Sequence, residues 1–302
     1  MAFPKQKLIV PVSHTPQPTH LNLRTSAAKN MSTTSNPGKL PVISIITPSY
    51  NQAEYLEQTI LSVLNQDYPA IEYIIIDGGS TDGSVEIIKK YESRLAYWQS
   101  KPDKGQSDAI HTGFSKATGD VIAWINSDDY YEDGALRLVG EFYAQHPDTI
   151  MAHGDYYTEY PDGSKTLKPK ISYDFKACLY AYMMVAQQSS FFRRDAYFAI
   201  GGLNQALHYC MDYDLFLRLG HAYPGRIHLI KKSLSTFRLH PDCKSWSDKE
   251  KFKPEIKAVR GQFRQEPRAL SKLKEKYYLA KVILKFLLER GVIPKPKDKR
   301  RF

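Results

Sequence analysis

The sequence is poor in cysteine and contains no long apolar run. Its three cysteines, Cys178, Cys210 and Cys243, are far apart and lack the paired spacing of a zinc site or a disulfide framework. No stretch of about 18 apolar residues occurs, so no membrane-spanning helix is predicted. The apolar residues 8–10 are too few for a signal peptide and are followed by Pro11. These absences predict a protein of the reducing cytoplasm.

Positive charge is concentrated in one part of the chain. The net charge is +10, yet residues 249–302 hold 18 of the 42 Lys and Arg and only 6 of the 32 Asp and Glu. The preceding residues therefore carry a slight excess of acidic groups, which argues against nucleic acid as a partner of the whole protein. The basic segment indicates contact with something anionic or a solvated helix.

Composition divides the chain into three segments. Residues 1–40 are rich in Ser, Thr, Pro, Asn and His without periodicity, which predicts a disordered leader. Residues 41–248 hold the strand and helix patterns and are predicted to form the folded domain. Residues 249–302 form a basic tail that contains an amphipathic helix at 269–290.

Strand and helix patterns alternate in the first half of the domain, residues 41–147. Short β-rich segments are predicted to be strands at 42–47, 71–76, 95–98 and 121–125. Helical periodicity separates them, so the half predicts an α/β fold with a doubly wound, mostly parallel sheet. The second half, residues 148–248, predicts a mixed β region with a hairpin at 151–168, a strand at 187–194, a helix at 212–219 and a strand at 226–237.

Polar residues follow three of the predicted strands. Tyr50 follows the first strand, Asp77 follows the second, and the sequence Asn126-Ser127-Asp128-Asp129 follows the fourth. Ligands of open α/β sheets bind outside the carboxyl ends of the strands, so these loops are predicted to meet at one crevice. Adjacent carboxylates repel each other unless a cation compensates them, and a hard divalent ion bridging to phosphate oxygens is the usual solution.

Five motifs, in this order, resemble those of family 2 glycosyltransferases of the GT-A fold. They are residues 47–51 (TPSYN), 76–84 (IDGGSTDGS), 118–129 (TGD to NSDD), 211–218 (MDYDLFLR) and 238–240 (RLH). The resemblance covers about residues 41–246. It implies a Rossmann-like nucleotide half at 41–147 and an acceptor half at 148–248. It also implies transfer of a sugar from a nucleotide-diphosphate donor to a glycan or lipid-linked hydroxyl, with inversion, in cell-surface polysaccharide biosynthesis.

The resemblance also implies roles for particular residues. Asp212 matches the catalytic base, and Asp214 is expected to point elsewhere because it lies two residues further along a helix. Asp128 and His240 match the site of a divalent metal, Mg²⁺ or Mn²⁺, although Asn126 replaces the first acidic residue of the commoner Asp-x-Asp form. The predicted donor-binding residues are Pro48, Tyr50, Asp77, Lys104, Asn126, Asp128 and Arg238. The predicted acceptor-binding residues are Gln187 and Gln188.

Two rival functions stay open at this point. Asn126 and Met211, which stand where acidic residues are commoner, favour a non-catalytic subunit that binds a nucleotide sugar or a polysaccharide. Nucleotidyl transfer on a related sheet is the weaker rival, because no glycine-rich phosphate loop with a lysine follows Ile46.

The tail helix has two interpretations. Its apolar stripe consists of Leu279, Val282, Ile283, Phe286 and Leu287, flanked by lysines. The segment 270–301 is predicted either to rest on an anionic membrane surface, at the inner face of the plasma membrane, or to pack on the domain.

Overall fold

Nine strands form one sheet in the computed structural model, which describes residues 39–243 and 249–293. The strands are β1 Ile43–Ser49, β2 Ile71–Asp77, β3 Tyr97–Ser100, β4 Val121–Trp124, β5 Tyr130–Tyr131, β6 Met151–Glu159, β7 Lys165–Lys168, β8 Ser190–Arg193 and β9 Ile227–Arg238. Their order across the sheet is β3-β2-β1-β4-β8-β6-β9-β5, and β7 pairs with β6 at the side.

The four predicted strands of the first half, β1 to β4, are parallel to one another, whereas the short β5 pairs antiparallel with β9. Strand β1 lies between β2 and β4, and β3 extends the sheet beyond β2. Ser49 is in register with Asp77, and Asp77 with Ser100, so the loops that follow these strands leave the sheet side by side. The α/β fold class is therefore confirmed, and the predicted crevice lies at this edge.

Helices cover both faces of this parallel part of the sheet. They are α1 Ala53–Leu64, α2 Ser84–Lys90, α3 Gln106–Lys116 and α4 Ala135–Gln145. Neighbouring residues of a strand point to opposite faces, so Ile45 and Ile46 enter two different apolar clusters, and both are fully buried. Burial on both faces explains why these strands are continuous apolar runs in the sequence.

The second half is a mixed sheet with three helices, α5 Phe175–Tyr180, α6 Arg194–Ala199 and α7 Met211–Ala222. The β6–β7 hairpin is confirmed. The predicted strand at 187–194 is partly wrong, because Gln187–Ser189 form a 3-10 turn and only Ser190–Arg193 are extended. The side chains of this turn make tertiary hydrogen bonds, with the Gln187 amide donating to the Trp124 carbonyl at 2.8 Å.

Two helices follow the domain, α8 Lys249–Phe263 and α9 Arg268–Glu289. Helix α9 confirms the predicted amphipathic helix, whereas α8 is not predicted. The predicted apolar stripe divides between two environments: Val282 and Phe286 pack against the core, while Leu279 and Ile283 are about half exposed. No helix in the described ranges is long and apolar enough to cross a membrane. The predicted leader up to residue 38, and residues 294–302 of the tail, lie outside the described residues.

Candidate active site

A cleft of about 1100 Å³ opens at the carboxyl ends of β1, β2 and β4, between the two halves of the domain. The first half contributes Pro48, Ser49, Tyr50, Gly78, Gly79, Asp103, Gln106, Asn126, Asp128 and Asp129, among others. The second half and α8 contribute Tyr156, Lys170, Tyr182, Gln187, Gln188, His208, Tyr209, Met211, Asp212, Asp242 and Phe252, among others. The structure therefore brings six of the predicted donor and acceptor residues, together with Asp212, into one cavity.

Asp212 lies in the first turn of α7 and faces this cleft. Its Oδ1 accepts a 2.7 Å hydrogen bond from the Tyr213 N–H. Burial raises the pKa of Asp212 to about 6. A carboxylate with this pKa is ionised at neutral pH but is a stronger base than an ordinary aspartate, which suits it to accept a proton.

Asp214 points into the protein instead. It is 1% exposed, and its Oδ2 accepts a 2.8 Å hydrogen bond from Arg218 Nε. The Arg218 guanidinium also donates to the carbonyls of Ile200 and Gly202. The ion pair is thus a structural tie between α7 and the loop after α6, and Asp212 alone of the two acids reaches the cleft.

The two carboxylates of the acidic strand end differ in their exposure. Burial, followed by the charge of Asp128, raises the pKa of Asp129 well above its usual range. Asp129 Oδ1 also accepts a hydrogen bond from the Arg238 N–H at 3.0 Å, which fixes the loop to β9. Asp128 is less buried and lies 3.0 Å from His240 Nε2. Asp128 is therefore the more accessible carboxylate of the pair.

The surroundings of His240 fit a divalent metal ion. His240 is 6% exposed, and its Nδ1 has no hydrogen-bond partner among the described residues, so one ring nitrogen is unsatisfied in either tautomer. The ligand atoms of Asp128, His240 and Cys243 lie within 4.8 Å of one another. Burial raises the pKa of the Cys243 thiol to about 12, so the carboxylate and the imidazole are the better ligands for a divalent ion.

The predicted donor residues Tyr50 and Asp77 occupy different positions. Tyr50 is 62% exposed and lines the cleft as predicted. Asp77 is fully buried beneath the cleft, where its carboxylate accepts hydrogen bonds from Ser80, Ser100 and the Gly79 N–H. Asp77 thus shapes the loop whose glycines line the cleft, and its direct contact with a base or ribose stays a prediction.

Two predicted cations do not line the cleft. Lys104 is exposed. The Arg238 guanidinium is engaged by neighbours: it donates to the Asp128 carbonyl at 3.0 Å, lies 3.5 Å from Glu159 Oε2, and its carbon is 4.8 Å from the centre of the Tyr55 ring. Contact of either side chain with the donor stays a prediction, and Arg238 holds the loop of Asp128 through its backbone carbonyl.

Asn126 joins the two halves at the base of the cleft. Its Oδ1 accepts from Gln106 Nε2 at 2.7 Å, and its Nδ2 donates to Gln187 Oε1 at 3.3 Å. An Asp at this position would lose the Nδ2 donor to Gln187. The asparagine is therefore consistent with this polar network, which neither Asp128 nor His240 enters through its side chain.

Sequence reasoning missed three residues that lie at or behind the cleft. Lys170, Tyr182 and Glu255 fall outside the resembling motifs and have no strand or helix periodicity that marks them. Glu255, on α8, accepts hydrogen bonds from the N–H groups of residues 208–210 at 2.8–2.9 Å, directly before α7. A carboxylate with three backbone donors holds this loop in place, and Asp212 follows it by two residues.

The glycosyl transferase family 2 model matches residues 44–201, more than half of the chain. The chain belongs to glycosyl transferase family 2. An uncharacterized glycosyltransferase of Haemophilus influenzae is 42% identical over 120 residues, which is 39% of this chain and 48% of that protein. The chondroitin synthase of Pasteurella multocida is 29% identical over 206 residues, or 68% of this chain and 21% of that protein. The chain thus spans about half of the first relative and a fifth of the second.

Solved glycosyltransferase structures share the fold. S. aureus TarS 1–349 in complex with UDP-GlcNAc matches 82% of this chain and 72% of its own, with a TM-score of 0.61 at 16% identity. The mannosyltransferase PcManGT from Pyrobaculum calidifontis, in complex with GDP-Man and Mn²⁺, matches 89% of this chain and 83% of its own chain, with a TM-score of 0.54 at 15% identity. The chain is accordingly a family 2 glycosyltransferase with a GT-A-like fold and is related to polysaccharide synthases.

Proposed function

We propose that this glycosyltransferase moves a sugar, with inversion, from a nucleotide-diphosphate donor to a hydroxyl of a glycan or lipid-linked acceptor in cell-surface polysaccharide biosynthesis. The observation that carries the proposal is the position of Asp212, whose carboxylate has a pKa of about 6 and shares one cleft with Asp128 and the loop after β2. Complexes of solved relatives with UDP-GlcNAc and with GDP-Man support a nucleotide sugar as the donor.

The residues divide the reaction between two sides of the cleft. Asp212 accepts the proton of the acceptor hydroxyl as its oxygen forms a bond to the anomeric carbon. The bond from that carbon to the diphosphate oxygen breaks on the opposite side, which inverts the configuration. When bound by Asp128 and His240, a divalent ion supplies positive charge for the leaving diphosphate. The hydrogen bond between Asn126 and Gln187 connects these two sides at the base of the cleft.

A donor panel tests the proposal. The full chain is incubated with UDP-, GDP- and other nucleotide sugars, with Mn²⁺, Mg²⁺ or EDTA, and nucleotide release is measured with and without an acceptor glycan. We expect release with one donor class in the presence of metal. No release with any donor, acceptor and metal would overturn the proposal.

The metal assignment has its own test. Because the imidazole supplies one of two ligands, His240→Ala is expected to raise the Mn²⁺ concentration needed for half-maximal release by about tenfold or more. His146→Ala is the matched control, since this histidine is exposed and stacks on Phe142. An unchanged Mn²⁺ requirement in His240→Ala would remove His240 from the metal site.

We also propose that the outer face of α9 rests on an anionic membrane surface at the cytoplasmic side. This face exposes the apolar side chains Leu270, Leu273, Tyr277, Leu279, Ile283 and Leu284. Lys272 and Lys276 are exposed among them, and their charges complement anionic headgroups. Residues on the opposite face, Tyr278, Val282 and Phe286, pack on the domain, so docking requires no detachment of the helix.

Flotation with vesicles of phosphatidylglycerol or of phosphatidylcholine tests the membrane contact. The full chain is expected to float with the anionic vesicles only, and Leu273→Ser with Leu284→Ser to stay in the soluble fraction. Leu167→Ser, an exposed leucine on β7, is the control. Equal flotation of all three proteins, or none, would refute the contact.

A further inference from the structure

Lys170 stands out among the residues that line the cleft. It is 6% exposed, and it is the one Lys or Arg among the described lining residues, which include Asp103, Asp128, Asp129, Asp212 and Asp242. Lysine is seldom buried unless an opposite charge compensates it. The partners of the Lys170 ammonium therefore decide whether it has a structural role or binds a ligand.

The carboxylates near Lys170 are occupied by other cations. Asp155 accepts a hydrogen bond from the backbone N–H of Lys170 at 2.6 Å, but its carboxylate is paired with the Arg290 guanidinium. Glu289 lies 3.7 Å from Lys285 Nζ. Burial lowers the pKa of His153, a further neighbour, to about 3, so this ring adds no charge. Within the described ranges, no carboxylate forms an ion pair with Lys170.

Two tyrosines surround the ammonium instead. Lys170 Nζ lies 5.1 Å from the centre of the Tyr156 ring and 5.3 Å from that of Tyr182, and 3.3 Å from the Tyr182 hydroxyl. Both rings line the cleft, and Tyr182 is about half exposed. Aromatic faces hold a cation in place and offer flat surfaces for a sugar ring, but they do not neutralise its charge.

We propose that Lys170, with Tyr156 and Tyr182, forms a subsite that binds an anionic group, a phosphate or a carboxylate, on the acceptor glycan. The inference rests on the proposed transfer reaction and names the class of its acceptor. The subsite belongs to the acceptor half of the domain, because Tyr156 is on β6 and Lys170 and Tyr182 flank α5. Asp128, the proposed metal ligand, lies on the loop after β4, in the other half of the domain.

The segment that carries Lys170 is fixed by the tail helix. Arg290 Nε donates to the Lys170 carbonyl at 2.9 Å, Glu289 accepts from the Ser172 N–H at 2.9 Å, and Lys285 Nζ donates to the Ser172 carbonyl at 2.7 Å. A cation held in this way is preorganised for an anion, since little side-chain or backbone freedom is lost on binding.

The test compares acceptors and variants in one transfer assay. The acceptors are phosphorylated glycosides, uronic-acid oligosaccharides and their neutral counterparts, used with the donor that the panel identifies. Wild-type kcat/KM is expected to favour one anionic acceptor over its neutral counterpart by about tenfold or more, because a charge-assisted contact is lost in the neutral one. The phosphorylated and uronic arms show which anion binds.

Lys170→Met is expected to raise the KM for the anionic acceptor about tenfold, while the KM for the donor and the rate of donor hydrolysis change less than twofold. Lys170→Arg is expected to retain part of the preference. Lys168→Met is the matched control, because Lys168 lies 5.9 Å from the centre of the Tyr160 ring but outside the cleft. Equal thermal melting of the three variants shows that the fold is intact.

Three results would overturn the inference. One is a wild type that uses neutral and anionic acceptors equally, a measurement that requires no variant. Another is a Lys170→Met protein that keeps the preference, and the third is a rise in the donor KM in place of the acceptor KM. Donor hydrolysis by the wild type separates these results from a failure of the proposed function, which would show no nucleotide release at all.

Discussion

Replacing Asp212 with Asn removes the proposed base and leaves almost everything else in place. Asparagine has the same shape, and its Oδ1 can still accept the hydrogen bond of the Tyr213 N–H. The change therefore deletes the negative charge and the ability to take a proton, and little else. Donor binding should be retained, since Asp128 and the loop after β2 are untouched.

The expected loss of transfer follows from the role of a base. Positioned acid–base catalysis contributes roughly 10²–10⁴-fold, so we expect kcat for transfer to fall by that factor. Nucleotide release coupled to a chosen acceptor measures kcat, and titration with UDP or GDP measures donor affinity. Transfer within tenfold of wild type would refute the assignment of Asp212 as the base.

The same substitution is expected to stabilise the fold. Burial raises the pKa of Asp212 from 3.8 to about 6, so the ionised carboxylate is disfavoured in the folded state. This destabilisation is absent below pH 3.8 and fully present above pH 6. A shift of about two pKa units corresponds to about 1–2 kcal/mol after reduction for a half-buried group. We therefore expect Asp212→Asn to raise the free energy of unfolding by this amount at pH 7.5, which corresponds to a rise in Tm of about 2–8 °C. A variant that melts below wild type at this pH would contradict a destabilising carboxylate at position 212.

Further predictions concern pH, the loop before α7 and the tail. Transfer, measured as kcat/KM, should rise about tenfold per pH unit below pH 6 and level off above it, as Asp212 loses its proton; a flat profile from pH 5 to 7 would contradict this. Glu255→Ala should lower the free energy of unfolding in denaturant by about 2–4 kcal/mol and lower kcat, because three backbone donors lose their acceptor. Glu250→Ala on the same helix should change both quantities little. Equal effects of the two substitutions would refute the role of Glu255 in holding the loop before α7. Phe286→Ala should cost about 1–3 kcal/mol and Ile283→Ala below about 0.5 kcal/mol, because only the first packs on the core; the reverse order would contradict this packing.

The parallel half of the sheet was predictable because its strands are buried on both faces. Such strands are continuous apolar runs, and β1, β2 and β4 lie within a residue or two of their predicted positions. The turn at Gln187–Ser189 was not predictable, since its conformation depends on hydrogen bonds to Trp124 and Asp155, residues distant in sequence. Helix α8 was missed for a similar reason: its lysine-rich sequence has a weak apolar pattern, and Val259 is fully buried only after the helix packs on α7.

The candidate site shows the same division. The motif at the end of β4 placed Asp128 at the cleft, and the family resemblance of residues 211–218 placed Asp212 there. The sequence could not show that Asp77 lies beneath the cleft. Its position depends on hydrogen bonds that its carboxylate accepts from Gly79, Ser80 and Ser100, and these are visible only in the structure. Lys170 could not be predicted as a site residue, because its role depends on which cation pairs with the nearby Asp155 carboxylate. That cation is Arg290, which is 120 residues away from Lys170 in the sequence.

Glu255 and Arg290 are synthesised after the residues of the cleft that their contacts fix in place. Both residues follow the whole family 2 match, and each fixes a segment that carries a cleft residue. A nascent chain that has left the ribosome only as far as residue 243 contains all five motifs but neither Glu255 nor Arg290. The loop before α7 and the segment of Lys170 can therefore be fixed in this way only after α8 and α9 have been synthesised.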